Sequence, residues 1–101
     1  MKKPSYDLEE IKTLLQGTKT RIVTRSSRQG AVKLGYADDD EMVNRVLKIS
    51  SKEFFKTMPA EKCPILNQDV YYTYDGTKKI YIKLQKNSLT GKGVIVSFKE
   101  T

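Results

Sequence analysis

Between residues 68 and 99 the chain alternates apolar and polar side chains with a period of two, and this stretch constrains the fold more than any other. That period marks a strand with one buried face, because successive side chains point to opposite sides of a sheet. Three strands are predicted, over residues 68–74, 79–85 and 94–99. In the second, Ile80, Ile82 and Leu84 share one face, and Tyr81, Lys83 and Gln85 share the other. In the third, Val94, Val96 and Phe98 stand opposite Ile95, Ser97 and Lys99.

Asp75-Gly76 reads as the two central residues of a hairpin turn, since both tolerate the positive φ such turns need. That turn would set Tyr74 opposite Thr77, Val70 opposite Tyr81 and Gln68 opposite Lys83. The next connection is longer and leaves the register open. Face matching still restricts it, because a one-residue slip would carry the apolar set to the wrong side. Tyr81 opposite Lys99 satisfies that restriction. The expected core face carries Tyr71, Ile80, Ile82, Leu84, Val94, Val96 and Phe98. The other face gathers Gln68, Tyr72, Tyr81, Lys83, Ser97 and Lys99, a surface of phenols, amines and an amide, and is the candidate site.

The 101 residues suit a single domain, 1–101, with one modest core. Apolar residues make up 38% of the chain and there is no biased tract, which argues against disorder. No apolar run approaches a membrane span, and Met1-Lys2-Lys3-Pro4 leads into no apolar signal core, so a cytoplasmic protein is expected. The one cysteine, Cys63, leaves no partner for an internal disulfide and no multi-cysteine metal site. Without histidine the Ser-His-Asp and Cys-His triads are excluded, and the commonest zinc ligand is missing. Any chemistry falls to Lys, Arg, Tyr, Glu, Asp, Gln or Ser, with no metal or cofactor expected. A net charge of +7 favours a polyanionic partner, either nucleic acid or an acidic protein.

Ahead of the strands the chain reads as helices. Asp7 and Glu10 suggest a capped first helix with Leu8, Ile11, Leu14 and Leu15 buried and Gly17 ending it. Ile22-Val23 is a candidate edge strand in a basic segment, where Arg21, Arg25 and Arg28 could form a phosphate-contacting arm or simply a solvated face. Ser26 or Ser27 would cap a second short helix ending at Leu34-Gly35, although Gly30 weakens it. The acidic run Asp38-Asp39-Asp40-Glu41 invites a metal-site reading. A helix N-terminus fits better, with Asp38 as cap and Met42, Val43, Val46 and Leu47 buried. Ser50 and Glu53 repeat the capping pattern and predict a short helix through Phe54, Phe55 and Met58, closed by Pro59. Helices first and strands last define an α+β fold, with N-terminal helices on one face of a mainly antiparallel sheet.

Several segments together resemble one family. They are Ser51-x-x-Phe54-Phe55-Lys56-x-Met58, then Gln68-Asp69-Val70-Tyr71, then Ile80-Tyr81-Ile82-Lys83, and the ending Val94-Ile95-Val96-Ser97-Phe98-Lys99-Glu100. Four such motifs in this order are similar to the MqsR family, toxins of bacterial type II toxin–antitoxin pairs with a RelE-like fold. The resemblance implies a metal-independent, sequence-selective endoribonuclease that cuts mRNA, with an antitoxin protein as partner. It also implies that Lys56, Gln68, Tyr81 and Lys99 carry activity. Three of these already stood on the face chosen from alternation. One departure is Asn67, where the family often has Trp.

Cleavage without metal would use the substrate's 2′-OH as nucleophile. Lysine begins near about 10.4 and tyrosine near about 10, so a base would need tuning. Crowded cations such as Lys56, Lys83 and Lys99 supply a means, by like-charge repulsion. Tyr81 is expected to move the proton, Lys56 and Lys99 to stabilise the phosphate, and Gln68 to orient the phosphate or the 2′-OH. Lys83, Arg25 and Arg28 are expected to contact RNA, and Tyr72 or Tyr74 to stack on unpaired bases. The competing reading is a non-catalytic RNA- or protein-binding module that keeps the same fold. A DNA-binding regulator is disfavoured, because no helix pairs clustered Arg or Lys with a helix-turn-helix pattern.

Overall fold

A computed structural model describes residues 3–101. In chain order the elements are α1 (Leu8–Gln16), β1 (Arg21–Val23), α2 (Arg25–Lys33), α3 (Asp39–Val46), a 3₁₀ turn (Ser51–Glu53), β2 (Phe54–Pro59), β3 (Asn67–Asp75), β4 (Lys78–Lys86) and β5 (Gly93–Glu100). The five strands form one sheet in the order β1-β5-β4-β3-β2. Only β1 is parallel to its neighbour; every other pair is antiparallel. The three helices share a single hydrophobic cluster with one side of this sheet. The α+β expectation therefore holds. Among the described residues no helix is long and apolar enough to cross a membrane.

That cluster joins Leu8, Ile11 and Leu15 of α1, Ala31 of α2, and Met42, Val43 and Val46 of α3 to Tyr71, Ile80, Ile82, Leu84, Ile95 and Phe98 of the sheet. Each fully buried aliphatic or aromatic side chain is worth roughly 1.5–3 kcal/mol relative to exposure. Surface ion pairs contribute about 0–1 kcal/mol each, so the cluster decides the fold. Leu14, expected in the stripe, is only half-buried. Asp7 caps α1 by accepting from the Glu9 amide at 2.9 Å, but Glu10 instead meets Lys86 at 3.3 Å and closes no capping box. At α3 the acidic run caps as expected, with the Asp38 carboxylate accepting from the Glu41 amide at 2.9 Å.

Four expectations are corrected. The β3–β4 turn is centred on Gly76-Thr77, and Asp75 pairs with Lys78. Gly76 has φ +63°, and among the described residues no non-glycine residue has positive φ. This is the signature of a type II′ turn, with glycine first, whereas Asp75-Gly76 as the centre of a type I′ turn would force Asp75 to positive φ. The pairing moves by two residues, so Val70 faces Lys83 and Tyr72 faces Tyr81, and both faces keep their membership.

The segment read as a helix over Phe54, Phe55 and Met58 is instead strand β2. The capping box at Ser50 and Glu53 is present, but it starts only a single 3₁₀ turn. Aromatic and β-branched residues then favour pairing, and Phe54 packs edge-on against Tyr71 with ring centroids 5.6 Å apart. Pro59 is tolerated because β2 is an edge strand.

The third correction concerns Val96, and with it the side taken by Val94, which is buried as expected but stands opposite Gln85 and outside the helix-side cluster. A register shift of β5 against Lys83 and Leu84 of β4 leaves Val96 unpaired, as a bulge does. Past it the alternation reverses, so Ile95 joins the core while Val96 is only half-buried. The fourth is the cap of α2. It is Thr24, not Ser26 or Ser27: Thr24 Oγ1 accepts from the Ser27 amide at 3.2 Å and donates to the Val96 carbonyl at 2.8 Å. The bulge thus docks the start of α2 on β5.

Gly30 in α2 lies hard against β5; a Cβ there would run into the Phe98 carbonyl. Gly30→Ala would gain up to about 1 kcal/mol of helix propensity, but overpacking costs about 1–3 kcal/mol. The expected result is a lower melting temperature, by roughly 4–8 °C per kcal/mol; a rise would show that α2 and β5 separate easily.

Two tyrosines are expected to titrate late. Burial, then the hydrogen bond to Asp75 and that carboxylate's charge, push the Tyr36 phenol up to about 12. Burial, then the Asp69 and Asp7 carboxylates, push Tyr71 up to about 12. An unfolded tyrosine ionises near about 10. The stability these two groups contribute is therefore fully present below pH ~10 and is lost as pH rises toward ~12. Phenolate absorbance should show Tyr36 and Tyr71 ionising well above the ordinary tyrosine value of about 10, together with loss of secondary structure; both phenols ionising at that ordinary value would contradict these environments.

Candidate active site on the open sheet face

Alternation along the central strands turns one row of side chains after another away from the helices. The first row runs Lys99–Tyr81–Tyr72 in register across β5, β4 and β3, and Phe55 of β2 extends it. Tyr81 and Tyr72 meet edge-on at 5.7 Å between centroids, and Tyr72 and Phe55 at 4.9 Å. Four ammonium groups lie over this aromatic ladder: Lys99 at 5.1 Å and Lys83 at 5.8 Å from the Tyr81 ring, Lys79 at 4.4 Å from Tyr72, and Lys56 at 5.6 Å from Phe55. Each such contact is worth about 0.5–1 kcal/mol when exposed. Among the described residues none of these four lysines pairs with a carboxylate.

The second row is Ser97–Lys83–Val70–Lys56. Val70 is completely buried although it belongs to the face turned from the helices. Its neighbours across the strands are lysines, whose aliphatic stems can cover apolar surface while the charge stays in water.

The third row holds two amides. Gln68 Nε2 donates to Gln85 Oε1 at 2.7 Å. Beside it Asp69 points to the other side and anchors the start of β3. Its carboxylate accepts from the Ser5 and Tyr6 amides, each at 2.9 Å.

Gln68, Lys83, Gln85, Ser97 and Lys99 line one hollow, walled by the 60–66 loop with Cys63 and by Thr24 and Ser26 at the start of α2. The structure therefore brings Gln68, Lys83 and Lys99 together, with Tyr81 held against Lys99. Lys56 stands further across the sheet, exposed beside Phe55. Arg25 is exposed between Thr24 and Ser26, at the margin of the hollow.

Arg28 does not join this face. Its guanidinium grips Asp39 in a two-pronged ion pair, at 2.8 and 2.7 Å, in the helical layer. That hydrogen bond holds the Asp39 carboxyl below its ordinary range. Arg21 likewise meets Asp40 at 2.8 Å. Sequence reasoning passed over three members of the face. Phe55 was hidden by the helical reading of its segment. Lys79 shares the parity of Tyr81, and alternation had already put Gln85 on that face without drawing it into the site.

A second hollow lies between α3 and the β3–β4 turn, lined by Tyr74 but by none of the candidate catalytic residues. Part of its lining is paired internally, Arg45 with Thr73 and the Tyr74 carbonyl, and Tyr36 with Asp75, whereas Arg45 Nη1 is buried without a hydrogen-bond partner. Among the described residues no three side chains of the His, Cys, Asp or Glu type cluster closely enough to hold a metal ion.

Residues 3–100 match a family profile described as motility quorum-sensing regulator, toxin of MqsA. The chain belongs to the MqsR toxin family. It is also 33% identical, over 97 residues, to the mRNA interferase toxin MqsR of Escherichia coli (strain K12), an alignment covering 96% of this chain and 94% of that protein. The toxin's open face is positioned by the Asp69 anchor, which sits next to Gln68 in β3. Asp69→Ala would strand two partly buried backbone N–H groups. Hydrogen bonds to charged groups are worth about 1.5–3 kcal/mol, so the melting temperature should drop by roughly 4–8 °C for each kcal/mol lost. A melting curve unchanged by the substitution would show that the N-terminal segment does not hold β3.

Proposed function

We propose that this toxin is a sequence-selective endoribonuclease that cuts single-stranded mRNA through the substrate's own 2′-OH, without a metal, and that a cognate antitoxin protein restrains it. The observation that carries the reading is Tyr81, a phenol on an open sheet face flanked by the ammonium groups of Lys99 and Lys83 at 5.1 and 5.8 Å. The family match supports the activity, as does the likeness to a relative that is an mRNA interferase toxin.

In this reading the 2′-oxygen attacks the adjacent phosphorus as the P–O5′ bond breaks, leaving a 2′,3′-cyclic phosphate and a 5′-hydroxyl. Tyr81 transfers the proton at one of these two oxygens, and solvent serves the other. Lys99 stabilises the extra negative charge that builds on the phosphorane, aided by Lys56 from the β2 side. Fixed cations aimed at charge that develops in the transition state do not need to reorganise during reaction. The aromatic ladder suits unpaired bases, because every base offers a π-face to stack. Tyr72 and Phe55 extend the track away from Tyr81, and Lys79 and Lys83 contact the backbone. Gln68 belongs to the same hollow but to a different row, so its part is recognition beside the cut.

The test is a long single-stranded RNA incubated with purified protein in excess EDTA, with cut positions read by primer extension for wild type and Tyr81→Phe. Discrete cuts in EDTA that weaken in the mutant by about 10²- to 10⁴-fold, the usual worth of general acid–base help, are the expected result. Equimolar antitoxin should abolish them. Absence of cuts from folded protein that still binds RNA would replace this reading with a non-catalytic binding module. Cuts as strong in Tyr81→Phe as in wild type would keep the nuclease and remove Tyr81 from the chemistry.

A further inference from the structure

We propose that Gln68 and Gln85 together read a nucleobase next to the cut, which makes Gln85 a specificity-determining residue of this chain; the inference rests on the RNA-cleaving reading above. The two carboxamides spend one group each on the other, at 2.7 Å. What remains includes the oxygen of Gln68 as an acceptor and the N–H groups of Gln85 as donors, beside the second N–H of Gln68 and the second lone pair of the Gln85 oxygen. A neighbouring acceptor and donor is the pattern that amide side chains use to grip a base edge with two hydrogen bonds. Single-stranded RNA exposes such edges because its bases can be splayed out.

The surroundings suit a base. In register the row runs Val94–Gln85–Gln68–Met58, so the amides are bracketed by apolar side chains. The same hollow adds Leu66 for the flat face of a ring, and Lys83 and Lys99 for phosphate. Both amides are half-buried, which shields their hydrogen bonds from water without closing the site.

Position separates this subsite from the reacting centre. Gln85 follows Tyr81 by four residues on the same face of β4, about 13 Å along a strand. That is too far for one phosphate to sit against both. Lys83 lies midway on the same face, where it can hold the backbone between the cut and the base being read. Gln68 and Gln85 thus address a nucleotide adjacent to the one attacked.

The experiment sequences the 5′ ends of products from one long single-stranded RNA, cut by wild type, Gln85→Ala and Gln85→Glu under identical conditions. Its readout is the base distribution around the cuts, not their number, with melting temperatures checking the fold. Gln85→Ala should flatten a preference of about tenfold or more at one position beside the cut. Gln85→Glu, which keeps an acceptor but loses the donor, should shift that position toward cytosine, whose N4 amine donates to carboxylates. A merely structural cross-strand pair would produce no such shift. An unchanged distribution in both variants would overturn the proposal. If the wild type makes no cuts, the nuclease reading fails, and affinity for short oligonucleotides of single base composition decides the subsite instead. A base preference lost in Gln85→Ala would sustain it; equal wild-type affinities would overturn it.

Discussion

Burial of one side of β4 is the constraint on which the rest of this molecule depends. Ile80, Ile82 and Leu84 are at most 1% exposed beneath the helices. Because side chains alternate, this forces Tyr81, Lys83 and Gln85 to the opposite side. A one-residue slip would expose all three aliphatic residues, each worth roughly 1.5–3 kcal/mol. The cation–π contacts of the open face, at about 0.5–1 kcal/mol each, could not resist such a slip. The functional surface is therefore held in place by the core behind it.

Charge is sorted between the two layers. On the helical side the acidic run at the start of α3 takes up Arg21 and Arg28. On the sheet side Lys56, Lys79, Lys83 and Lys99 lie over aromatic rings. A ring attracts a cation without neutralising it, so these ammonium groups keep their charge for a polyanion. A chain with no histidine thus assembles a basic surface with a phenol at its centre. The acidic run, read at first as only a helix cap, also keeps two arginines away from that surface.

The β5 bulge has an effect beyond its strand. It turns Ile95 into the core and frees the Val96 carbonyl to accept from Thr24. The start of α2 is thereby set at the rim of the hollow, where Thr24 and Ser26 line it with Gln68 and Lys99. Gly30 allows the same helix to lie against Phe98 further along. A glycine that weakens the helix locally is therefore required by its packing.

The amino-acid sequence by itself determined which residues of β3 and β4 share a face and where α1 and α3 begin; Tyr81 opposite Lys99 was one register it allowed, and the fold selects it. Faces and helix starts are local matters of periodicity and capping, legible because alternation has a fixed period and a cap needs only its neighbours. A two-residue error in the hairpin left the faces intact for the same reason. Tertiary structure decided what depends on distant partners. Phe54–Pro59 became a strand because β3 offered an edge and Tyr71 and Tyr72 offered rings to pack against. The β5 alternation reversed where one residue bulged out of the ladder. Arg28 left the expected RNA surface because Asp39, eleven residues on, captured it. The Gln68–Gln85 pair exists only because two strands meet in one register, and neither glutamine carries a sign of the other in its own local sequence.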